Sequence, residues 1–339
     1  MRVAGEVAGR MGLSVWLSPM LPDADAATTL RAVTTTATIA ERLRAARPDV
    51  VLVVGCELSA FMRGILPGEH QADRLALLMD MDRLAAEVAA RQADPQGTFD
   101  HVLGEAVEAA RAHFEGPITY ASAPWETVDW RPFDIVGVDA YRDATNRTTY
   151  VDSLRGYAEQ AQRRPVVVTE FGCATYRGAA DRGSMAWAVL EERGTPVGAL
   201  PANGVSPHLV DGIVRDEGAQ AAELLDQLEA IESAGVDGAF VYTYVAPSYP
   251  SSPDPQRDLD AASFALVRSW PDGSTERKAA YRVVADRFAA IAADPTDPDS
   301  ADPAAPDAGP ADDESDPDAR PADDESTRRG ERARSTGAR

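Results

Sequence analysis

The chain has 339 residues, of which 44% are apolar and 6% aromatic, and its formal net charge is −22. Because nucleic acids and anionic membrane surfaces repel a strongly acidic protein, we expect neither as a partner. No apolar run is long enough to span a membrane, and the N-terminus lacks an apolar signal core, so a cytoplasmic location is expected.

Short apolar runs alternate with helical stretches along most of the chain. Strands are predicted at 13–18, 50–56, 118–121, 133–141, 165–169 and 238–244. Helices are predicted at about 27–46, from 58 to about 114 with a break near 94–95, and at 150–163, 219–234 and 277–293. Since these strands lack polar alternation, they read as buried on both faces. Repeated strand–helix pairs of this kind predict an α/β fold of the (β/α)8 TIM-barrel type.

Six strands are found, whereas a full barrel has eight. If Glu57 ends the fourth barrel strand and Glu170 the seventh, the first two strands are absent, and the chain begins in the helix before the third. A misplaced start codon, a fragment, or a six-stranded open variant would each give this pattern, and we favour a truncated gene. The N-terminally incomplete barrel is assigned to residues 1–293.

Residues 294–339 have a different composition. They are rich in Asp, Pro and Ala, and they repeat Pro-Ala-Asp-Asp-Glu-Ser at 310 and 321. Such a segment buries too little apolar surface to offset its chain entropy, so a disordered acidic tail is expected. A solvating extension is favoured over an interaction tail.

Two of the predicted strands end in glutamate, at Glu57 and Glu170. A carboxylate at the end of a buried strand is costly to desolvate, and in a barrel this end carries the chemistry. Each glutamate could instead cap the next helix or pair with an arginine. We favour a two-carboxylate site that hydrolyses a glycosidic bond and needs no metal or cofactor.

Four strand ends, in order, resemble those of clan A glycoside hydrolases. They are Val-Gly-Cys-Glu-Leu at 54–58, Val-Asp-Ala-Tyr at 138–141, Val-Thr-Glu-Phe-Gly at 168–172 and Phe-Val-Tyr-Thr-Tyr at 240–244. The resemblance implies a (β/α)8 barrel and retaining hydrolysis of an oligosaccharide or glycoside. It makes Glu57 the acid/base, Glu170 the nucleophile and Tyr141 a hydrogen-bond donor to that nucleophile.

The segments 214–217 and 258–264 resemble a bacterial subgroup of these proteins that is often labelled abortive-infection proteins, which implies a role in phage defence. The chain also departs from the clan, whose members usually carry Asn before the acid/base, where this chain has Cys56. A thiol is a weak donor, so weaker catalysis or a different sugar is expected. The alternative function is therefore a catalytically impaired barrel that binds carbohydrate or a protein partner.

Four residues are predicted to bind substrate: Cys56, Trp125, Tyr141 and Tyr244. Trp187 is expected to lie in the core instead, and both Cys56 and Cys173 are expected to be small buried side chains. The loop from 172 to about 218 is long for a barrel and is predicted to act as a lid. The sequence gives no indication of the oligomeric state.

Overall fold

A computed structural model of the chain describes residues 2–45, 49–192, 195–196 and 207–293. By its internal contacts the chain divides into two units, Met1–Ile291 and Ala292–Arg339. The tail predicted at 294–339 lies outside the described residues, and so do Gly198, Pro201 and Gly204 of the predicted lid. In the described ranges no helix is both long and apolar enough to cross a membrane.

A six-stranded parallel sheet forms the centre of the first unit, with the strand order β1-β2-β3-β4-β5-β9. The small strands β6 to β8 form an antiparallel sheet, and β10 pairs with β11. The strands are β1 (Val15–Leu17), β2 (Val50–Cys56), β3 (Ile118–Ser122), β4 (Val136–Asp139), β5 (Val166–Phe171), β6 (Leu190–Glu192), β7 (Thr195–Pro196), β8 (His208–Leu209), β9 (Gly238–Val241), β10 (Val267–Ser269) and β11 (Thr275–Arg277). The six strands predicted from the sequence are therefore those of the central sheet.

Helices cover the outer face of this sheet, α2 and α6 over β2 and β3, and α7 to α9 over β4 and β5. They are α1 (Arg2–Arg10), α2 (Ala26–Arg44), α3 (Leu58–Phe61), α4 (Gln71–Leu78), α5 (Met81–Arg91), α6 (Pro95–Arg111), α7 (Tyr150–Gln160), α8 (Glu217–Ser233) and α9 (Ala279–Ala292). The predicted break near 94–95 is confirmed, since Asp94 caps α6 and Pro95 opens it. The prediction missed the earlier breaks, among them the one at which Asp80 caps α5.

The sheet curls into a half-barrel, and Trp16 lies on its inner face. Trp16 of β1 packs against Val51, Ile135 and Val167 on the inner face. Its ring centroid also lies 4.8 Å from that of Phe240 on β9, although β1 and β9 are the two edges of the sheet. The α/β class and the curled parallel sheet are thus confirmed, and among the described residues this sheet has six strands instead of the eight of a closed barrel.

The only lysine of the chain lies in a buried ionic cluster at the start of α9. Lys278 Nζ is 3.0 Å from Asp260 Oδ2 and donates to Thr175 Oγ1 at 2.7 Å, while Arg215 donates to the same Asp260 oxygen at 2.9 Å. Burial lowers the pKa of Lys278 to about 8. The cluster ties α9 to the segment that follows β5.

Lys278→Met is expected to lower the free energy of unfolding by about 3 kcal/mol, because the buried Asp260 would lose one of its two cationic partners. Arg91 of the surface pair Arg91–Glu87 provides the control, and Arg91→Met should cost less than about 1 kcal/mol. Urea unfolding at pH 7 measures both. Equal effects of the two variants would contradict a stabilising role for the Lys278 cluster.

Candidate active site

Glu57 lies where β2 turns into α3. Its backbone is in the left-handed region, with φ 43°, and its amide donates to Ala121 O at 2.9 Å. A non-glycine residue in this conformation is costly, and such residues cluster at functional sites. The Glu57 carboxyl does not cap α3, and within the described part of the chain it has no arginine partner. A helix cap and an ion pair with arginine, the two alternatives to a catalytic role, therefore do not explain Glu57.

Glu170 projects from β5 and is held at both carboxylate oxygens. Tyr141 donates its hydroxyl to Oε2 at 2.8 Å, and the Cys56 thiol lies 3.7 Å from Oε1. Burial raises the pKa of Glu170 above its usual value, and the hydrogen bonds from Tyr141 and Cys56 offset this only in part. Gly172, two residues further on, leaves room for the next strand, since a Cβ there would lie 2.5 Å from Tyr242 O.

A third strand-end carboxylate, Asp139 on β4, was given no role by the sequence analysis. Thr169 donates to its Oδ1 at 2.7 Å, and the Cys56 thiol lies 3.6 Å from its Oδ2. Burial, and then the charge of Glu170, raise the pKa of Asp139 well above its usual range. The sequence analysis predicted that this strand continues to residue 141, whereas β4 ends at Asp139, so the carboxylate was not recognised as a strand end.

The electrostatics around Glu57 favour its protonated form. Burial raises the pKa of Glu57 well above the usual range, and the charges of Asp139, Glu170 and Glu126 raise it further. Glu126 is fixed nearby, since it accepts hydrogen bonds from Ser59 and from the Tyr120 hydroxyl. A carboxyl in such surroundings keeps its proton to higher pH than an exposed one, which suits a general acid.

The Cys56 thiol lies between the carboxylates of Asp139 and Glu170. Burial raises the pKa of this thiol well above the ordinary value, and the charges of Asp139, Glu170 and Glu57 act in the same direction. The thiol therefore stays protonated and can donate to either carboxylate. Cys56 and Cys173 are both buried, as predicted, but Cys56 contacts the carboxylates and is not among the residues that line the open space.

A cleft of about 310 Å³ opens onto these groups. Glu57, Glu170, Trp125 and Tyr141 all line it, so four of the predicted site residues come together. Tyr244 does not: it is 58% exposed, and its ring lies edge-on to that of Tyr281.

The position of Tyr244 follows from where β9 ends. The strand stops at Val241, three residues before the predicted end, and the backbone of Tyr244 pairs with Val267 of β10. Tyr242 lines the cleft in its place, and burial raises the pKa of its hydroxyl to about 12. The sequence reasoning missed Tyr242 because it assumed that the strand continued to residue 244.

The described part of the predicted lid forms a wall of the cleft. Short 3₁₀ turns at Ala179–Asp181 and Gly183–Trp187 bring Met185 and Trp187 to the cleft surface. Trp187 is partly buried against the core, which is close to what was expected, and it also lines the cleft. Tyr176 is buried and donates to Ala186 O at 2.9 Å, which fixes the second turn.

A divalent cation could be held by Cys56, Asp139 and Glu170. One ligand atom from each residue lies within 4.8 Å of the others. A thiolate with two carboxylates is a donor set that Zn²⁺ accepts. A cation bound there would take up the oxygens of Glu170 and displace the thiol proton, so it would compete with any role of Glu170 as a nucleophile.

Solved structures with the same fold include two of GH113 β-1,4-mannanase. Their TM-scores are 0.51 and 0.50, each at 15% sequence identity over 84% of this chain and 76% of that chain. A GH113 β-mannanase from Alicyclobacillus acidocaldarius gives a TM-score of 0.48 at 17% identity, over 85% of this chain and 77% of that chain. No protein-family model matches the chain, and no curated protein matches it significantly. At this identity the likeness shows a TIM-barrel-like fold alone, and function has to be argued from the site.

Proposed function

We propose that this protein is a retaining glycoside hydrolase in which Glu170 is the nucleophile and Glu57 the acid/base. One observation carries the proposal: two half-buried glutamates at strand ends line one cleft, and their surroundings differ in the way the two roles demand. Glu170 is stabilised as a carboxylate by Tyr141 and Cys56. Glu57 has no such donor among the residues that the structure describes, and the charges of Asp139, Glu170 and Glu126 act on it. The mannanases that share the fold act on carbohydrate, which agrees with this assignment.

In the first step the Glu170 carboxylate bonds to the anomeric carbon while the glycosidic C–O bond breaks. The Glu57 proton passes to the departing oxygen, which leaves as an alcohol. In the second step Glu57, now ionised, takes a proton from water, and the resulting hydroxide displaces Glu170 from the anomeric carbon. Two displacements at the same carbon retain its configuration.

A second candidate is a barrel that binds carbohydrate without cleaving it. It is favoured by the surroundings of Glu170. Asp139 contacts the same Cys56 thiol as Glu170, and the negative charges of the two carboxylates disfavour each other. Cys56 is also occupied by the two carboxylates, which leaves it poorly placed to donate to a sugar hydroxyl. Under this reading the cleft would bind sugars with no turnover.

A panel of activated aryl glycosides, assayed with the full chain, separates the two candidates. We expect turnover of at least one of these glycosides. Proton NMR should show that the first product has the same anomeric configuration as the substrate. An inverted product would contradict the retaining assignment. Binding of a sugar without turnover would establish the second candidate.

Asp139→Asn is expected to move the alkaline limb of the pH–rate profile to lower pH. Activity requires protonated Glu57, so the rate falls as pH rises through the pKa of that residue. Since the Asp139 charge helps to raise that pKa, its removal lowers the pKa and the limb moves towards acid. The measurement is kcat/KM against pH for both proteins. A limb that moved to higher pH would show that Asp139 does not act on Glu57 through its charge.

A further inference from the structure

The side of the cleft next to Glu57 is mostly apolar, although Gln71 at the start of α4 also lines the cleft. It is formed by Phe61 of α3 together with Leu75, Leu78 and Met79 at the end of α4. This set is called the α3–α4 wall below. Among the described residues that line the cleft, Glu57 and Glu170 are the only charged ones. The other polar side chains that line the cleft are uncharged, among them Gln71, Ser184 and Ser263.

A buried arginine fixes this wall in place. Arg74 of α4 donates to Ala60 O at 2.7 Å, to Phe61 O at 3.2 Å and to Gly68 O at 3.0 Å, and its charge is paired with Asp23 at 2.5 Å. The guanidinium thus ties α4 to the end of α3. The wall is a built part of the fold, and it holds apolar side chains towards the cleft.

The rim of the wall remains open to solvent. Met79 is 69% exposed although it lines the cleft. Large apolar side chains grouped at a cleft mouth mark a surface that a ligand can cover. A general acid must reach the leaving oxygen, so the chain segment that follows Glu57 lies beside the leaving group.

We propose that the substrate of this site is a glycoside whose leaving group is apolar, an alkyl or aryl aglycone that packs on the α3–α4 wall. The inference rests on the proposed hydrolysis by Glu57 and Glu170. The sugar ring occupies the carboxylate end of the cleft near Tyr141 and Tyr242. The aglycone covers Phe61, Leu75, Leu78 and Met79.

The test compares octyl, methyl and phenyl glycosides of one sugar, together with a disaccharide, each below any micelle-forming concentration. Octyl and methyl alcohols are leaving groups of similar basicity, so the ratio of their kcat/KM values reports contacts of the aglycone. Each methylene that the wall buries should raise kcat/KM about fourfold. Two buried methylenes should therefore make the octyl glycoside preferred over the methyl glycoside by more than about tenfold. Dissociation constants for Glu170→Gln compare octyl with phenyl and tell an alkyl from an aryl aglycone.

Two methionines give a matched pair of variants. Met81 is 65% exposed, two residues from Met79, and does not line the cleft. Met79→Gln should lower the octyl-to-methyl ratio by about threefold or more, and Met81→Gln should leave it unchanged. A ratio near one, a preference for the disaccharide, or equal behaviour of the two variants would overturn the inference while leaving glycoside hydrolysis intact.

Failure of the proposed function gives a different result, in which no glycoside is turned over at all. The dissociation constants of the octyl and methyl glycosides for the unmodified chain then decide the inference on their own. Octyl binding more than about tenfold tighter would support an apolar ligand on the wall, and equal binding would reject it.

Discussion

Glu170→Gln should lower kcat/KM for every glycoside that the protein cleaves by more than about 10⁴-fold, the order seen when a nucleophile is removed from other enzymes. Glutamine has nearly the same shape and can still accept a hydrogen bond from Tyr141, but its amide does not form the glycosyl ester. The loss should be the same for good and poor leaving groups, since the missing group forms the bond in the first step. Initial rates on the aryl glycoside panel give the measurement.

Stability provides the control for this variant. The neutral amide removes a buried charge that burial and Asp139 disfavour, so the thermal midpoint of Glu170→Gln should equal or exceed that of the parent protein. Inactivity combined with an unchanged or higher midpoint excludes unfolding as the cause. Activity within tenfold of the parent would remove Glu170 from the mechanism.

Glu57→Gln should have an effect that depends on the leaving group. For alkyl glycosides, which need a proton on the departing oxygen, kcat/KM should fall by about 10²–10⁴-fold. For dinitrophenyl glycosides, whose phenolate leaves unassisted, the first step should change by less than about tenfold. The alkaline limb of the pH–rate profile, which reports loss of the Glu57 proton, should disappear with the carboxyl group.

The measurement for Glu57 is a plot of log kcat/KM against the pKa of the leaving group for both proteins. The slope should be shallow for the parent and steep for Glu57→Gln. Trp125→Phe is the control variant. It changes a side chain that lines the cleft but has no carboxyl group, so the slope of its plot should match that of the parent. Equal losses for all leaving groups in Glu57→Gln would assign the proton transfer to another residue.

The sheet could be predicted because its strands are nearly continuous in apolar β-branched residues. Val50–Cys56 is buried at all seven positions, and such a run has no other stable place than the centre of a parallel sheet. Because Glu57 and Glu170 follow parallel strands of one such sheet, both lie at the end of the sheet where the strands have their carboxyl termini. The two principal residues of the candidate site were therefore accessible from sequence order alone.

Other parts of the site depend on tertiary contacts that leave no periodic signal. Tyr242 and Tyr244 are both aromatic and two residues apart, and only the end of β9 at Val241 separates their surroundings. Glu126 comes from a loop, and its proximity to Glu57 depends on hydrogen bonds from Ser59 and Tyr120. A pattern of apolar residues does not encode such contacts, because they are made by polar side chains, and the one between Ser59 and Glu126 joins distant parts of the chain.

Trapping the glycosyl intermediate tests the central claim most directly. A 2-deoxy-2-fluoro glycoside of the sugar found in the panel, with a dinitrophenyl leaving group, forms the ester quickly and releases it slowly. Peptide mass spectrometry after proteolysis should then show one added fluoroglycosyl group on Glu170, and none in Glu170→Gln. A label on Glu57 or Asp139, or continued turnover with no labelled peptide, would contradict the assignment of Glu170 as the nucleophile.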